Sequence, residues 1–259
     1  MIAESEREAE REAASLAIAL LARVRRERPR VHVLTNPVAA NISANALLAI
    51  GAVPSMTSRP DVVADFVAGA RALVVNLGML DSEREAAIPR AVAVAAERRI
   101  RWLLDPVKVE RSPVRHRFAR QLLGRGPAIL RANASEIDVL ADGAEEPAVA
   151  LAERFGGVVV ATGEIDTIAA PNRQLRILNG SPLMDRVTAM GCTLSALLGA
   201  FLAVADDPFE AAVAGVAVFD VAGELAAGEA RGPGSFVPAL LDRLFLLDHS
   251  DLEGRLTLA

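Results

Sequence analysis

The chain has 259 residues, 52% of them hydrophobic, which suits one large α/β domain with a sizeable core. A formal net charge of −5, with aromatics at 3% and tyrosine absent, argues against a nucleic-acid partner, because neither a phosphate-tracking surface nor a base-stacking platform is available. Cys192 is the only cysteine, so no intrachain disulfide can form and a reducing cytoplasm is the expected compartment.

Glu4 to Arg26 reads as an amphipathic helix, taken here as an N-terminal helical extension over residues 1–30. Its acidic, polar start and short apolar run Leu16–Leu21 fit no signal peptide. No run of about 20 apolar residues marks a membrane span, so no membrane association is expected. From Val31 to Ala259 a single domain is expected, with no repeats or low-complexity linker.

Strand-like runs then alternate with helical segments. The strands are Val31–Leu34, Ala72–Leu77, Trp102–Leu104, Ala128–Leu130 and Val158–Ala161. Between them lie helices near Ala39–Ile50, Pro60–Ala68, Ser82–Arg98, Ser112–Leu123 and Glu146–Phe155. This alternation predicts parallel strands joined by helical crossovers. Gly51 reads as a C-terminal cap, Ser82 with Glu85 as a capping box, and Ser112-Pro113 as a cap followed by proline in the first turn. Pro89 should kink or divide the Ser82–Arg98 helix. Asp166–Asn179 reads as a β-hairpin turning at Pro171-Asn172, and the chain from Cys192 onward is mostly helical.

In an open parallel sheet, ligands bind outside the carboxyl ends of the strands. Polar residues recur at those ends: Asn36, Asn76, Asp105, Arg131 with Asn133, and Thr162-Gly163-Glu164. Lys108 is the only lysine and lies in no Gly-x-x-x-x-Gly-Lys-Ser/Thr motif, so any phosphate must be held without a P-loop. The segment Val187-Thr188-Ala189-Met190-Gly191-Cys192 opens the apolar helix Thr193–Val204. The free amides and partial positive charge of such a helix start suit an anion. The same position favours a thiolate at Cys192, but a permanent thiolate would repel the phosphoryl group held there, so the expectation is a thiol that loses its proton only as the alcohol attacks, or that mainly positions the hydroxyl. Each residue also has a plainer reading. Cys192 is a small buried residue, Asp105 fixes a turn, Arg131 pairs with a carboxylate, Glu136 caps a short helix and Met56 fills the core.

The runs Val33–Asn36, Asn45–Ala52 and Pro54-Ser55-Met56 resemble the opening of hydroxyethylthiazole kinases. So, in the same order, do Asn76-Leu77-Gly78, Leu104–Val107, Arg131–Ile137, Thr162-Gly163-Glu164, Asn179–Met184 and the segment ending at Cys192. The resemblance implies a ribokinase-like three-layer α/β/α sandwich with a mostly parallel central sheet, assembled as a homotrimer with active sites between subunits. It implies ATP-dependent phosphorylation of the primary alcohol of 4-methyl-5-(2-hydroxyethyl)thiazole in thiamine salvage, with Mg2+. Cys192 would be catalytic, beside an anion hole at Ala189, Met190 and Gly191. Asn36, Met56 and Ala189 would contact the thiazole, Arg131 and Thr162 the ATP, and Asp105 and Glu136 the metal.

The chain departs from the family pattern in places. Ala189-Met190-Gly191-Cys192 stands where the family commonly has Gly-Thr-Gly-Cys, and Lys108-Val109-Glu110 replaces a glycine-rich loop. Two alternatives remain at this level: a hydroxymethylpyrimidine phosphate kinase type of enzyme, and a non-catalytic nucleotide-binding regulator. The Asn36–Met56 block favours the thiazole enzyme over the first, and Ala189-Met190 is the main support for the second.

Overall fold

A computed structural model describes residues 2–259 and shows a single eight-stranded sheet. In chain order the strands are β1 (Arg30–Leu34), β2 (Val53–Ser55), β3 (Ala72–Asn76), β4 (Arg101–Asp105), β5 (Ile129–Asn133), β6 (Val158–Thr162), β7 (Asp166–Ala170) and β8 (Arg173–Ile177). Their order across the sheet is β2-β1-β3-β4-β5-β6-β7-β8. The first six run parallel, and β7 and β8 add an antiparallel hairpin. That hairpin turns at Pro171-Asn172, where Asn172 takes a left-handed φ of 66°.

The helices that matter to the site are α1 (Ile2–Glu27), α2 (Pro37–Ala49), α3 (Val63–Ala68), α4 (Ser82–Glu97), α5 (Pro113–Leu123), α6 (Ala134–Leu140), α7 (Pro147–Phe155), α8 (Met190–Val204), α9 (Pro208–Glu229) and α10 (Pro233–Leu246). Side chains alternate across each strand, and two cores result. Val31, Val33, Val74, Leu103, Ile129, Val158 and Val160 pack toward α1, α2, α8, α9 and α10. Leu34, Leu73, Val75, Leu104, Leu130 and Val159 pack toward α3 to α7. The layers are therefore helix, sheet, helix, and the expectation of parallel crossover units holds.

Helix α1 lays a stripe of Ala13, Ala14, Ala17, Leu20, Leu21 and Val24 into the first core. Helix α9 is long and apolar enough to cross a membrane, contrary to the sequence reading that no segment qualifies; most of it lies buried inside the fold. Its apolar character on every side is that of a core helix.

Three local expectations need correction. The cap of α4 is Asp81, whose side chain accepts from Arg84 N at 2.8 Å, so Ser82 and Glu85 form no capping box. Pro89 neither ends nor divides α4, which runs unbroken past it. Proline removes one backbone donor and crowds the carbonyl four residues earlier. Here Pro89 and Glu85 both face solvent, where water can satisfy that carbonyl. Strand β2 escaped the sequence reading because it is three residues long and contains Pro54.

Candidate active site

The polar strand ends converge because they share one parity. Asn76, Asp105, Arg131 and Thr162 continue the alternation of Val74, Leu103, Ile129 and Val160, so all four sit on the sheet face covered by α8. Asn36 reaches the same place as the N-cap of α2, where its side chain accepts from Ala39 N at 3.1 Å.

These groups form one network. Asn36 Nδ2 donates to Asn76 Oδ1 at 3.2 Å and lies 3.8 Å from Cys192 Sγ. Asn76 Nδ2 donates to Asp105 Oδ2 at 2.8 Å and reaches Cys192 Sγ at 3.2 Å. Ser195, one turn further along α8, donates to the same Asp105 oxygen at 2.7 Å. Arg131 Nη2 donates to Thr162 Oγ1 at 2.5 Å, and Arg131 Nη1 stands 4.0 Å from Asp105 Oδ2.

Helix α8 begins beside this network. Its N-cap, Ala189, has φ 68° and ψ 11°, the left-handed conformation a glycine adopts without cost. The first backbone bond of the helix runs from Thr193 N to Ala189 O at 2.9 Å. The amides of Met190, Gly191 and Cys192 thus precede the intrahelical ladder and are the donors an anion would meet. A Cβ at Gly191 would collide with both Nη atoms of Arg131, so the guanidinium lies directly against the helix start.

The electrostatics favour the thiol at Cys192 over a resting thiolate. Burial, and then the charge of Asp105, push the Cys192 thiol up to about 11, despite the two asparagine donors and Arg131 pulling the other way. A helix start favours a thiolate only where water or cations can support it. Here desolvation wins and Cys192 rests as a neutral thiol. Burial likewise raises Asp105 to about 6; Arg131 lowers it and Glu136 raises it. Asp105 Oδ1 is buried with no partner.

Glu136 is held by two backbone amides. Its Oε2 accepts from Asn133 N at 3.0 Å, completing a capping box on α6, and its Oε1 accepts from Lys108 N at 2.7 Å. It ties α6 to the loop after β4, where Lys108 takes a left-handed φ of 59°. Among the described residues, no group of three or more His, Cys, Asp and Glu side chains is spaced to hold a metal. The residues fit magnesium only as nucleotide-bound magnesium. Asp105 Oδ1 is the free oxygen, and the ion normally keeps waters and phosphate oxygens as its other ligands.

Met56 is not among the hydrogen-bonded members of the Cys192 network. It follows the edge strand β2 and packs partly against the first core. Its loop is held by His32, which is fully buried on β1. His32 Nδ1 lies 2.8 Å from Ser55 Oγ and Nε2 3.0 Å from Thr57 O, so Nε2 carries a proton and donates to that carbonyl. Burial holds its pKa down at about 4.

Sequence reasoning missed Arg84. This buried side chain from α4 donates to the main-chain oxygens of Asn76, Gly78 and Met79, fixing the turn that follows β3 beneath the network. Nothing in the sequence distinguishes it from the exposed Arg90 of the same helix.

A model of the hydroxyethylthiazole kinase family matches residues 21–250. A hydroxyethylthiazole kinase of Tolumonas auensis is 44% identical over 245 residues, covering 88% of this chain and 92% of that protein. One of Granulibacter bethesdensis is 45% identical over 250 residues, covering 91% of each. The solved hydroxyethylthiazole kinase of Pyrococcus horikoshii OT3 superposes with a TM-score of 0.91 at 34% identity, covering 95% of this chain and 98% of that one. The pyridoxal kinase of Staphylococcus aureus, at 17% identity and a TM-score of 0.61, shares the fold.

Proposed function

The chain belongs to the hydroxyethylthiazole kinase family, and from that premise we propose that it transfers the γ-phosphoryl group of MgATP to the primary alcohol of 4-methyl-5-(2-hydroxyethyl)thiazole. The observation that carries this reading is the meeting of Cys192, Asp105 and Arg131 at the uncapped amides of α8. That start provides an anion site with an alcohol-positioning group beside it and no P-loop.

In this reading the amides of Met190, Gly191 and Cys192 receive the transferring phosphoryl group. They gain strength as its equatorial oxygens take up charge. Arg131, oriented by Thr162, holds the nucleotide phosphates, where a planar guanidinium fork suits their oxygens. Asp105 would hold the magnesium that arrives with ATP, and that ion would neutralise phosphate charge. Cys192, a neutral thiol steadied by Asn36 and Asn76, positions the alcohol oxygen for in-line attack. A thiol near 11 is about one part in 10⁴ ionised at pH 7, so a resting thiolate base plays no part. A loose transition state needs little activation of the nucleophile, which suits a positioning thiol.

Ala189 keeps the left-handed geometry of a glycine, so the amide cradle survives the change that favours a non-catalytic reading. Asn36 and Met56 contact the thiazole in this proposal, and the family resemblance, with both residues far in sequence from Cys192, is the reason for a homotrimer. The groove of about 410 Å³ along β2, lined by Arg30, Ser55 and Phe66 among others, offers a surface for the next subunit. The division into a helical extension over residues 1–30 and a kinase domain over residues 31–259 belongs to the same proposal, as does a cytoplasmic setting.

The test is ADP release by purified protein with MgATP and the thiazole alcohol, with the phosphate ester identified by ³¹P NMR. ADP release that ignores the thiazole overturns the proposal. Turnover of hydroxymethylpyrimidine phosphate in its place moves the chain to that alternative.

A further inference from the structure

Two asparagine amides decide what Cys192 meets, and main-chain donors orient both. Asn36 Oδ1 accepts from Ala39 N at 3.1 Å, and Asn76 Oδ1 accepts from Gly78 N at 3.0 Å. A backbone N–H can only donate, so it assigns the oxygen of the amide it meets. Each Nδ2 is thereby turned toward the sulfur, 3.8 Å away for Asn36 and 3.2 Å for Asn76.

The orientation of Asn76 therefore depends on where Gly78 lies. The next residue, Met79, takes a left-handed φ of 49°, and its side chain is exposed, so packing of that side chain does not hold it there. Such a conformation costs free energy at a residue with a Cβ and persists only where the surroundings impose it. Arg84 supplies the constraint. Its side chain is 2% exposed. Its Nη1 donates to Gly78 O at 2.5 Å and to Met79 O at 3.3 Å, and its Nη2 donates to Asn76 O. One guanidinium thus grips three carbonyls of the turn. The turn is also tightly packed on the amides, since a Cβ at Gly78 would stand 2.8 Å from Asn36 Nδ2 and 3.0 Å from Asn76 Oδ1.

We propose that Arg84 is a positioning residue for phosphoryl transfer: its clamp on the turn after β3 locks the Asn76 amide with its NH2 toward Cys192, and it acts on the reaction through that thiol. The inference rests on the assignment of Cys192 to the alcohol. Asp105 tolerates a loosened clamp better than Cys192 does. Its Oδ2 accepts from Asn76 at 2.8 Å but also from Ser195 at 2.7 Å, and Ser195 stands on α8, away from the turn. The sulfur has no second donor as near. Release of the turn is therefore felt at the alcohol and not at the nucleotide.

The experiment compares Arg84, Arg84→Lys and Arg84→Ala, each with Cys192 and with Cys192→Ala, in steady-state kinetics with MgATP and the thiazole alcohol. Lysine keeps the buried cation but reaches fewer carbonyls, so it carries the test if the alanine variant does not fold. With Cys192 present, kcat should fall about 3–10-fold for Arg84→Lys and about 10–100-fold for Arg84→Ala, with KM for ATP within about 2-fold. In the Cys192→Ala background the same changes should lower kcat by less than about 2-fold, because the thiol they act through is gone. A residue that only supports the fold would lower kcat by the same factor in both backgrounds, and that result overturns the proposal. A raised KM for ATP with kcat unchanged overturns it as well. Hydrogen exchange over residues 76–81, measured without ligands, should quicken about 3–10-fold in Arg84→Lys. An unchanged exchange rate overturns the clamp. The exchange measurement involves no turnover, so a wild type inert toward the thiazole would sink the proposed function while the clamp is still decided.

Discussion

Gly191→Ala sets two effects of similar size against each other. Gly191 is the second residue of α8, and alanine is favoured over glycine inside a helix by about 1 kcal/mol. Against that, the new methyl would occupy the space of Arg131 Nη1 and Nη2. The guanidinium is the far end of a flexible side chain, so it swings away, and its bond to Thr162 at 2.5 Å is lost. Hydrogen bonds to charged groups contribute about 1.5–3 kcal/mol. The net cost in stability is therefore only about 0.5–2 kcal/mol, a fall of roughly 2–6 °C in melting temperature for a chain of this size. The cost in function should be larger, because the displaced cation can no longer meet the nucleotide and the methyl narrows the approach to the α8 amides. Calorimetric titration should show ATP affinity down about 10–100-fold, the worth of roughly one to two charge-assisted contacts. A folded Gly191→Ala protein that binds ATP as the parent does would refute the placement of the anion site at this helix start.

Other expectations are as direct. Cys192→Ala should lower kcat by about 10–100-fold with little change in KM for ATP, because a positioning group acts on the alcohol and not on the nucleotide. Iodoacetamide at pH 7.5 should modify the native thiol far more slowly than free cysteine, since a group raised to about 11 is scarcely ionised there. Asp105 is raised in the folded state to about 6, so it stabilises the fold below pH 4 and that contribution is lost as pH rises through 6. Asp105→Asn should therefore melt higher than the parent at pH 8, by up to about 3 kcal/mol, with the gap closing near pH 4, while turnover collapses. Ala189→Gly should stay within about 1 kcal/mol of the parent and remain active, since relief of a left-handed alanine offsets the greater freedom of the unfolded chain. Ala189→Val, β-branched at positive φ, should lose activity in steady-state assays.

The sheet was legible because its strands are short apolar runs closed by polar residues, and the parity of those residues decides which face they share. Asn76, Asp105, Arg131 and Thr162 could be placed at the carboxyl ends of the strands from the sequence, but the face they share emerged only from the register of the sheet. The charge state of Cys192 could not be read that way, because it depends on how deeply α8 is buried and on Asp105, 87 positions away in the chain. The α4 cap was misplaced by one residue because Asp81 and Ser82 are both good caps, and only tertiary geometry chooses between them.

The loop after β4 offers a practical handle. Lys108 is exposed at its apex, its backbone is tied to Glu136, and it carries the sole side-chain amine in the chain. An amine-reactive fluorophore therefore has one side-chain target, three residues from Asp105 on a tether of known anchorage. Labelled there, the protein becomes its own reporter. Changes in emission or anisotropy on adding MgATP would follow the arrival of charge at the carboxyl ends of the strands in real time, without a coupled enzyme or an introduced cysteine.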